Sequence, residues 1–316
     1  MPLLCRSLDQ LGVLRVSGPQ GSELLHAQLS QDFRNWPEDA ARLAALCNPQ
    51  GRMFADLLAV RWSPDEILLL LDRSISAATL QRLRMFILRL KCAVEDADAA
   101  VPRFGLIADR DAEFPDWLAP PAQPWGVRRP VHGAALLRLP QADAKVRCLL
   151  LLDRAQSEAA ALHGRIAAIP ELPAAAWALA DIRAGIAHVT TATQQAFVPQ
   201  MLNFESIGGV SFGKGCYPGQ EVVARSQYRG TLKRRTYLVR CDAAMQPGQE
   251  LFHDADPGQP CGLVVNAAPD EEGGWTGLAE IKIALAAQPG LHLGSADGPG
   301  VATGTLPYAL EPSDGA

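Results

Sequence analysis

The sequence predicts an α+β protein that ends in a small β-barrel. In the first two thirds of the chain, short apolar runs such as residues 67–71 alternate with segments whose apolar residues recur every three or four positions. These two periods are typical of buried strands and amphipathic helices. From residue 231 onward, short β-prone segments follow one another closely with Pro-Gly pairs between them, which is typical of a barrel. We therefore expect a main region at residues 1–230, a barrel at residues 231–311 and a loose tail at residues 312–316.

Each element is assigned from its apolar period and its flanking turn residues. The clearest helix spans residues 76–90, where Leu and Ile recur with arginines between them and Ser76 is placed to cap the first turn. The segment at residues 115–130, rich in Pro and Trp, is expected to be a loop. Helices are predicted at residues 19–29, 76–90, 154–168, 174–184 and 220–227. Strands are predicted at residues 12–18, 43–47, 53–62, 67–71, 92–95, 134–139, 146–152, 235–241, 250–253, 262–266, 277–283 and 291–293.

The composition excludes several classes of protein. Of the 316 residues, 48% are hydrophobic and 20% charged, which supplies a buried core and excludes disorder for the bulk of the chain. The net charge of -5 argues against a general polyanion binder, so a contact with nucleic acid requires a local patch. We find no targeting segment and no run of about 18 uncharged apolar residues, and we expect no membrane contact.

The seven cysteines are spaced too widely for a zinc or iron–sulfur ligand motif. A disulfide framework is not expected in a chain of this size, so we infer a reducing compartment, the cytoplasm. Most of the cysteines are expected to be small buried hydrophobic residues.

The segment at residues 214–221 carries the strongest chemical signal. Together with Gly213 just before it, the segment has three glycines within residues 213–219, which excludes regular structure and allows the backbone to approach a ligand closely. Cys216 follows Lys214 and precedes a predicted helix N-terminus, and both features favour a reactive thiolate. Cys216 is therefore a candidate nucleophile, and a packed small residue is the alternative interpretation. His188, the nearest histidine in sequence, is interpreted as a loop or helix-end residue.

A basic run in this acidic chain is a candidate anion site. Tyr228 and Tyr237 are interleaved with it, so RNA is one conceivable ligand. The alternative is that the run protects a strand edge against aggregation. The basic residues are Lys214, Arg225, Arg229, Lys233, Arg234 and Arg235.

The glycine-rich segment also carries a family resemblance. The signature octapeptide of the YgfZ family of folate-binding proteins resembles the stretch Lys214-Gly215-Cys216-Tyr217-Pro218-Gly219-Gln220-Glu221. The residues on both sides, 197–212 and 223–234, are similar to the family's flanking segments. The turn at residues 47–52, with Asp56 after it, is similar to another recurrent family segment. The resemblance covers most of residues 10–240.

The resemblance implies a fold and a role. The family is related to the glycine-cleavage T-protein, an aminomethyltransferase, which implies a three-domain ring with two interleaved N-terminal α+β units and a C-terminal β-barrel around a folate site. It implies tetrahydrofolate or a derivative as cofactor, and a role in iron–sulfur cluster assembly or repair and thereby in tRNA modification. The implied partners are iron–sulfur enzymes or cluster carriers, with tRNA involved indirectly.

The same resemblance implies the site residues. Cys216 and Asp56 are the candidate catalytic residues, although Asp56 is also interpretable as an ordinary strand-end carboxylate. The candidate folate-binding residues are Asn48, Gly51, Arg52, Arg183, Lys214, Gly215, Cys216, Tyr217, Gly219, Gln220, Glu221, Arg225 and Arg229.

The sequence departs from the T-protein at two acidic positions. Of the two adjacent acids of the T-protein, only the second is present, as Asp56, and the Glu that helps to hold the pterin is replaced by Arg183. Because the amino-pyrimidine edge of a pterin is an array of donors that requires acceptors, these changes argue against aminomethyl transfer. Whether the protein catalyses a reaction stays open. A folate-dependent one-carbon transferase and a non-enzymatic RNA-binding module are the alternatives.

Overall fold

The computed structural model describes residues 1–228 and 232–310, and the chain forms two compact units. The first unit comprises Met1–Ala44 and Leu57–Trp177, and the second comprises Ala45–Asp56 and Ala178–Ala316. The predicted boundary near residue 230 and the predicted tail at residues 312–316 lie outside the described residues.

The described residues form a mixture of strands and helices, as predicted. The strands are β1 (Leu4–Ser7), β2 (Leu11–Ser17), β3 (Arg42–Cys47), β4 (Met53–Ser63), β5 (Glu66–Asp72), β6 (Ala93–Asp96), β7 (Arg103–Ala108), β8 (Val127–Arg128), β9 (Ala134–Ala142), β10 (Lys145–Leu152), β11 (Arg234–Cys241), β12 (Glu250–His253), β13 (Gly262–Pro269), β14 (Trp275–Lys282), β15 (Leu291–Leu293) and β16 (Gly300–Gly304). The helices are α1 (Gly21–Gln28), α2 (Ser76–Arg84), α3 (Ser157–Ile166), α4 (Ala176–Arg183), α5 (Gln220–Tyr228) and α6 (Ile283–Ala286).

One sheet of the first unit has the strand order β1-β7-β10-β9-β8. The apolar stripe of α3, including Leu162 and Ile166, shares a buried cluster with Leu106 of β7. The opposite face of β7 is covered at Gly105, where a Cβ atom would lie 2.3 Å from the ring of Trp177. Both faces are therefore covered, which explains why every residue of β7 is buried rather than every second one.

A second sheet has the order β3-β4-β5-β2-β6, and the predicted hairpin is the antiparallel pair β4–β5. Within β3 the chain passes from the first unit to the second at Ala45, and within β4 it returns at Leu57. The turn that joins these two strands therefore belongs to the second unit, which also contains the glycine-rich segment at residues 214–221.

Six strands of the second unit close a barrel in the order β11-β14-β13-β12-β15-β16 within the described residues. Its interior is filled by apolar side chains such as Leu251, Val264 and Ile281. The predicted α+β class with a C-terminal barrel is confirmed. The sequence interpretation missed β16, since its Gly-Val-Ala-Thr-Gly sequence offers little apolar or β-branched signal. It also missed β1 and β7.

Three predictions of local structure are wrong. Helix α2 ends at Arg84 rather than at residue 90, since the N–H groups of Phe86 and Ile87 bond to carbonyl oxygens only three residues back. Leu88 then adopts a left-handed conformation with φ 48°, which prevents the helix from resuming. Ser76 is the first residue of α2 and not its cap, since the preceding helical turn is capped by Asp72, whose carboxylate accepts the Ser74 N–H at 2.9 Å. The predicted loop at residues 115–130 also contains the short strand β8.

Candidate functional site

Two segments that the sequence singled out, the turn at residues 47–52 and the octapeptide loop at residues 214–221, are in contact in the second unit. A Cβ atom on Gly219 would lie 2.5 Å from the carbonyl oxygen of Asn48 and 2.6 Å from Cα of Gly51. Both glycines have positive φ angles, +81° and +72°. Glycine is required at both positions because any side chain would push the two backbones apart.

The turn is shaped by Asn48, whose side-chain oxygen accepts the N–H groups of Gln50 at 3.0 Å and Arg52 at 2.9 Å. Its side-chain amide donates to Oε1 of Gln195 at 2.8 Å. The guanidinium of Arg52 donates to the carbonyl oxygen of Ala196. The polar atoms of these two candidate folate residues therefore hold the turn against residues 195–196.

In the octapeptide loop, Cys216 is exposed while Lys214 and Tyr217 are buried. The Lys214 ammonium lies 4.7 Å from the centre of the Tyr217 ring, a cation–π contact. Burial raises the pKa of Tyr217, and the neighbouring Cys47 adds to this effect. The thiol of Cys216 is therefore exposed to solvent, while the Tyr217 ring and the Lys214 ammonium of the same loop are buried.

Helix α5 begins at Gln220, as predicted, and is held at its first turns by Gln200, whose side-chain amide donates to the Val223 carbonyl oxygen at 2.6 Å. On its exposed side, Glu221 and Arg225 lie 3.7 Å apart with side chains 89% and 73% exposed. Arg229 lies outside the described residues. Of the candidate folate residues on this helix, Arg225 therefore presents an accessible cation.

The basic run is not a continuous free surface. Arg234 binds the buried carboxylate of Glu280 at 2.8 Å. Arg235, itself buried, forms an ion pair with Glu205 and donates to Oδ1 of Asn203 at 3.2 Å. Both guanidinium groups are bound to acids of the same unit. They therefore form neither an open anion site nor a solvated strand edge.

Asp56 is buried beside two residues that the sequence interpretation did not connect with it. Its Oδ1 accepts the Val189 N–H at 2.7 Å, and its Oδ2 lies 2.8 Å from Nδ1 of His188. The other ring nitrogen of His188 lies 3.6 Å from Oδ2 of Asp181. We call Asp56, His188 and Asp181 the acid cluster. Their side chains are 3%, 29% and 12% exposed, so solvent screens their charges only partly.

The electrostatics of the acid cluster favour a charged imidazole. Burial by itself would lower the pKa of His188, but the carboxylates of Asp56 and Asp181 outweigh it and raise that pKa well above its ordinary value. His188 is therefore an imidazolium near neutral pH. Asp56 is therefore not an ordinary strand-end carboxylate but one member of a three-residue group.

The acid cluster forms because residues 194–197 run beside the start of β4. The Met53 N–H donates to the Phe197 carbonyl oxygen at 2.7 Å, and the Gln195 N–H donates to the Met53 carbonyl oxygen at 2.8 Å. This pairing aligns Asp56 with His188, which lies 132 positions away in the sequence. No spacing rule connects residues at that distance, and a lone histidine three residues after Gly185 was the only available signal.

Arg183, the candidate that replaces the T-protein glutamate, is held by an acid. One of its terminal nitrogens lies 3.1 Å from each oxygen of Asp270, which also accepts the Thr276 hydroxyl at 2.6 Å. Burial alone would raise the pKa of Asp270, but hydrogen bonds from Thr276, the Glu272 backbone and Arg183 lower it to about 2. The guanidinium of Arg183 is therefore neutralised within the second unit.

Metal binding and membrane insertion find no support in the described part of the chain. No group of three or more His, Cys, Asp or Glu side chains is arranged there to hold a metal ion. No helix there is long and apolar enough to cross a membrane.

Known proteins provide an independent comparison. No protein-family model matches the sequence. The chain is 30% identical over 264 residues to the tRNA-modifying protein YgfZ of Edwardsiella ictaluri, which covers 78% of this chain and 74% of that protein. The protein of the same name from Colwellia psychrerythraea is 30% identical over 239 residues, covering 73% and 70%. The crystal structure of glycine cleavage system aminomethyltransferase T from Bartonella henselae matches 99% of this chain and 88% of its own, with a TM-score of 0.70 and 15% identity. This last similarity concerns the fold alone, and it confirms the predicted relation to the T-protein fold.

Proposed function

Because this chain belongs to the YgfZ family, we propose that it binds tetrahydrofolate or a derivative and acts in iron–sulfur cluster assembly or repair, and thereby in tRNA modification. The curated relatives carry tRNA modification in their names. The contact between the turn at residues 47–52 and the octapeptide loop supports the proposal, because it brings the two family segments together.

The chemistry of the acid cluster fits a folate. A pterin offers N–H donors along its amino-pyrimidine edge and requires buried acceptors with defined directions. Asp56 is such an acceptor, since it is buried and each of its oxygens is oriented by one donor, the Val189 N–H or the His188 ring. When bound, tetrahydrofolate supplies nitrogen atoms that carry one-carbon units. The chain itself supplies the acceptor, the exposed thiol of Cys216 and the accessible cation of Arg225.

One-carbon transfer of the T-protein type is the second candidate, and the site argues against it. At the position of the pterin-holding glutamate, the chain has Arg183, whose charge is bound by Asp270. Asp270 in turn already accepts hydrogen bonds from three groups, Arg183, Thr276 and the Glu272 N–H. The acceptors near Arg183 are therefore committed within the protein, and the role of a binding and delivery protein is favoured.

Binding is tested by titrating the purified protein with tetrahydrofolate, followed by intrinsic Trp fluorescence and by calorimetry. We expect saturable binding in the micromolar range or tighter, weakened at least about tenfold by Asp56→Asn because a buried charged acceptor is lost. Asp254→Asn is the matched control, since Asp254 is also paired with a histidine, His292, but lies 69% exposed in the barrel. Absence of binding at millimolar ligand would exclude the folate role.

The cellular role is tested by complementation. In cells that lack the protein, we expect the wild type and a Cys92→Ser variant to restore the activity of iron–sulfur-dependent tRNA-modifying enzymes, and Cys216→Ser to fail. Cys92 is the matched control because it is the other cysteine that is not fully buried. Full restoration by Cys216→Ser would remove the thiol from the proposal.

A further inference from the structure

His188 is fixed in place by its own backbone. Its N–H donates to Oδ1 of Asn266 at 2.8 Å, and its carbonyl oxygen accepts the Asn266 side-chain amide at 3.0 Å. Asn266 belongs to β13 of the barrel, so the main chain at position 188 is anchored on a rigid strand. The ring therefore meets Asp56 from a defined direction rather than from a flexible loop.

The partners of the ring define its charge state from geometry alone. The groups that face it are Asp56 of β4 and Asp181 of α4, at 2.8 Å and 3.6 Å from its two nitrogens. A carboxylate only accepts hydrogen bonds, so Nδ1 carries a proton toward Asp56, and a second proton on Nε2 is favoured by the Asp181 carboxylate at 3.6 Å. Two carboxylates and one imidazolium leave a net charge of about -1 for the acid cluster, whereas a neutral residue would leave two like charges in a largely buried volume.

The ring also leaves Asp56 able to bind a ligand. Each oxygen of that carboxylate receives one donor, from His188 or from the Val189 N–H. A carboxylate oxygen accepts two hydrogen bonds, so each retains one direction for an external N–H group. The two internal donors therefore fix the directions from which Asp56 can accept further hydrogen bonds.

We propose that His188 is a positioning residue that holds the Asp56 carboxylate oriented to accept hydrogen bonds from the donor edge of a folate pterin. The proposal rests on the proposed function, and it adds a residue and a pH dependence to that site. The geometry requires a donor at the Nδ1 position and a positive charge between the two acids. These two requirements are separable by substitution.

The first experiment measures the Kd of tetrahydrofolate between pH 6 and pH 9 for the wild type and three variants. His188→Asn retains a donor close to the Nδ1 position without the charge, and His188→Gln moves the donor toward the Nε2 position. His292→Asn is the matched control, because His292 is likewise paired with a carboxylate, that of Asp254 at 3.0 Å, and has a similar exposure. Circular dichroism of each variant verifies that it is folded.

We expect affinity of the wild type to fall as the pH rises through the midpoint of His188. His188→Gln is expected to bind roughly tenfold more weakly at pH 6.5, and His188→Asn within about threefold of the wild type but with a flat pH profile. His292→Asn is expected to follow the wild type. Binding by His188→Gln within about twofold of the wild type, with an unchanged pH profile, would overturn the proposal.

A second experiment separates this inference from the folate role. In the ligand-free protein with ¹⁵N-labelled histidine, we expect NMR to show both ring nitrogens of His188 protonated at pH 7, and Asp56→Asn to move its midpoint toward that of a free histidine. A neutral His188, or a midpoint insensitive to Asp56→Asn, overturns the inference whatever the binding result. A charged and Asp56-dependent His188 in a protein that does not bind tetrahydrofolate instead overturns the folate role and leaves the pairing intact.

Discussion

The octapeptide loop and the acid cluster belong to the same unit but are built in opposite ways. The loop is a run of consecutive residues with an exposed thiol, and at its edge a Cβ on Gly213 would meet no atom within 4 Å. The acid cluster joins residues from two distant parts of the chain, and its carboxylates are at most 12% exposed. One element is open to partners, and the other is arranged in advance by the fold.

This difference separates two kinds of chemical control. In the loop, the behaviour of Cys216 is set by access, since few protein atoms surround it. In the acid cluster, the protonation state of His188 is set by its neighbours, because solvent screens those charges only partly. Substitutions in the loop therefore test accessibility, and substitutions in the acid cluster test electrostatics.

The largest expected effect concerns access to the thiols. Under native conditions we expect iodoacetamide to modify Cys216 more than about 100-fold faster than Cys5 and Cys148, since burial raises the pKa of each of these two thiols to about 12. Peptide mass spectrometry of timed samples measures these rates, and Cys216→Ser should remove the fast phase while Cys92→Ser retains it. Equal rates for Cys216 and the buried thiols would show that the loop does not expose its thiol, and would contradict the description of the loop as the accessible element.

A smaller effect is expected from the contact that holds the loop on the turn. Gly219→Ala introduces a Cβ atom 2.5 Å from the Asn48 carbonyl oxygen at a positive φ angle, so we expect the second unit to lose about 3 to 4 kcal/mol of stability from strain and overlap together. Gly208→Ala, with φ +80° and no atom within 4 Å, should lose about 1 kcal/mol.

Gly213→Ala is the matched control for this series, because its Cβ meets nothing within 4 Å and its φ is not in the left-handed region. We expect it to stay within about 0.5 kcal/mol of the wild type. Native-state amide hydrogen exchange of residues 48–56 and 215–228 measures the three variants locally. Equal protection in all three would show that the turn and the loop do not depend on their close contact.

The acid cluster should make stability depend on pH in a defined direction. The pKa of His188 is raised in the folded state, so its proton stabilises the fold fully below the unfolded value of about 6.5, and that contribution is lost as the pH rises through the folded pKa. His188→Asn should therefore be less stable than the wild type by about 1 to 2 kcal/mol at pH 6, with a smaller difference at pH 9. Urea denaturation at the two pH values measures this, and a difference that grows with pH would contradict it.

Most of the fold was predictable because it depends on local periodicity. The apolar runs of β4 and β5, the turn between them and the short barrel strands all carry their signal within a few residues. Helix α2 shows the limit, since its apolar pattern continues to residue 90 while Met85 and Leu88 are 69% and 86% exposed. A pattern of apolar residues does not tell which of them the rest of the fold covers.

The candidate site shows the same difference between local sequence signals and contacts made by distant residues. The octapeptide loop was recognisable from consecutive residues, and its contact with the turn at residues 47–52 follows from glycines that were already conspicuous. His188 was not recognisable as a site residue, because its partner Asp56 is brought to it only by the pairing of residues 194–197 with β4. Arg234 and Arg235 were taken for a basic patch, since their acids Glu280 and Glu205 are likewise distant in sequence.

The smallest change in stability is expected from the substitution of Arg225. The effect of the same substitution on folate binding distinguishes the possible roles of the loop. The pair of Arg225 and Glu221 is highly exposed and 3.7 Å apart, so Arg225→Ala should change stability by less than about 0.5 kcal/mol. If the cation binds the anionic tail of a folate, the same variant weakens tetrahydrofolate binding about threefold or more and reduces the salt dependence of the Kd, while Glu221→Gln strengthens binding slightly by releasing the cation. Arg240→Ala is the matched control, because Arg240 forms a similarly exposed pair with Glu272 at 3.3 Å in the barrel. Equal affinities for the Arg225 and Arg240 variants would confine folate recognition to the acid cluster and leave the exposed loop to a macromolecular partner.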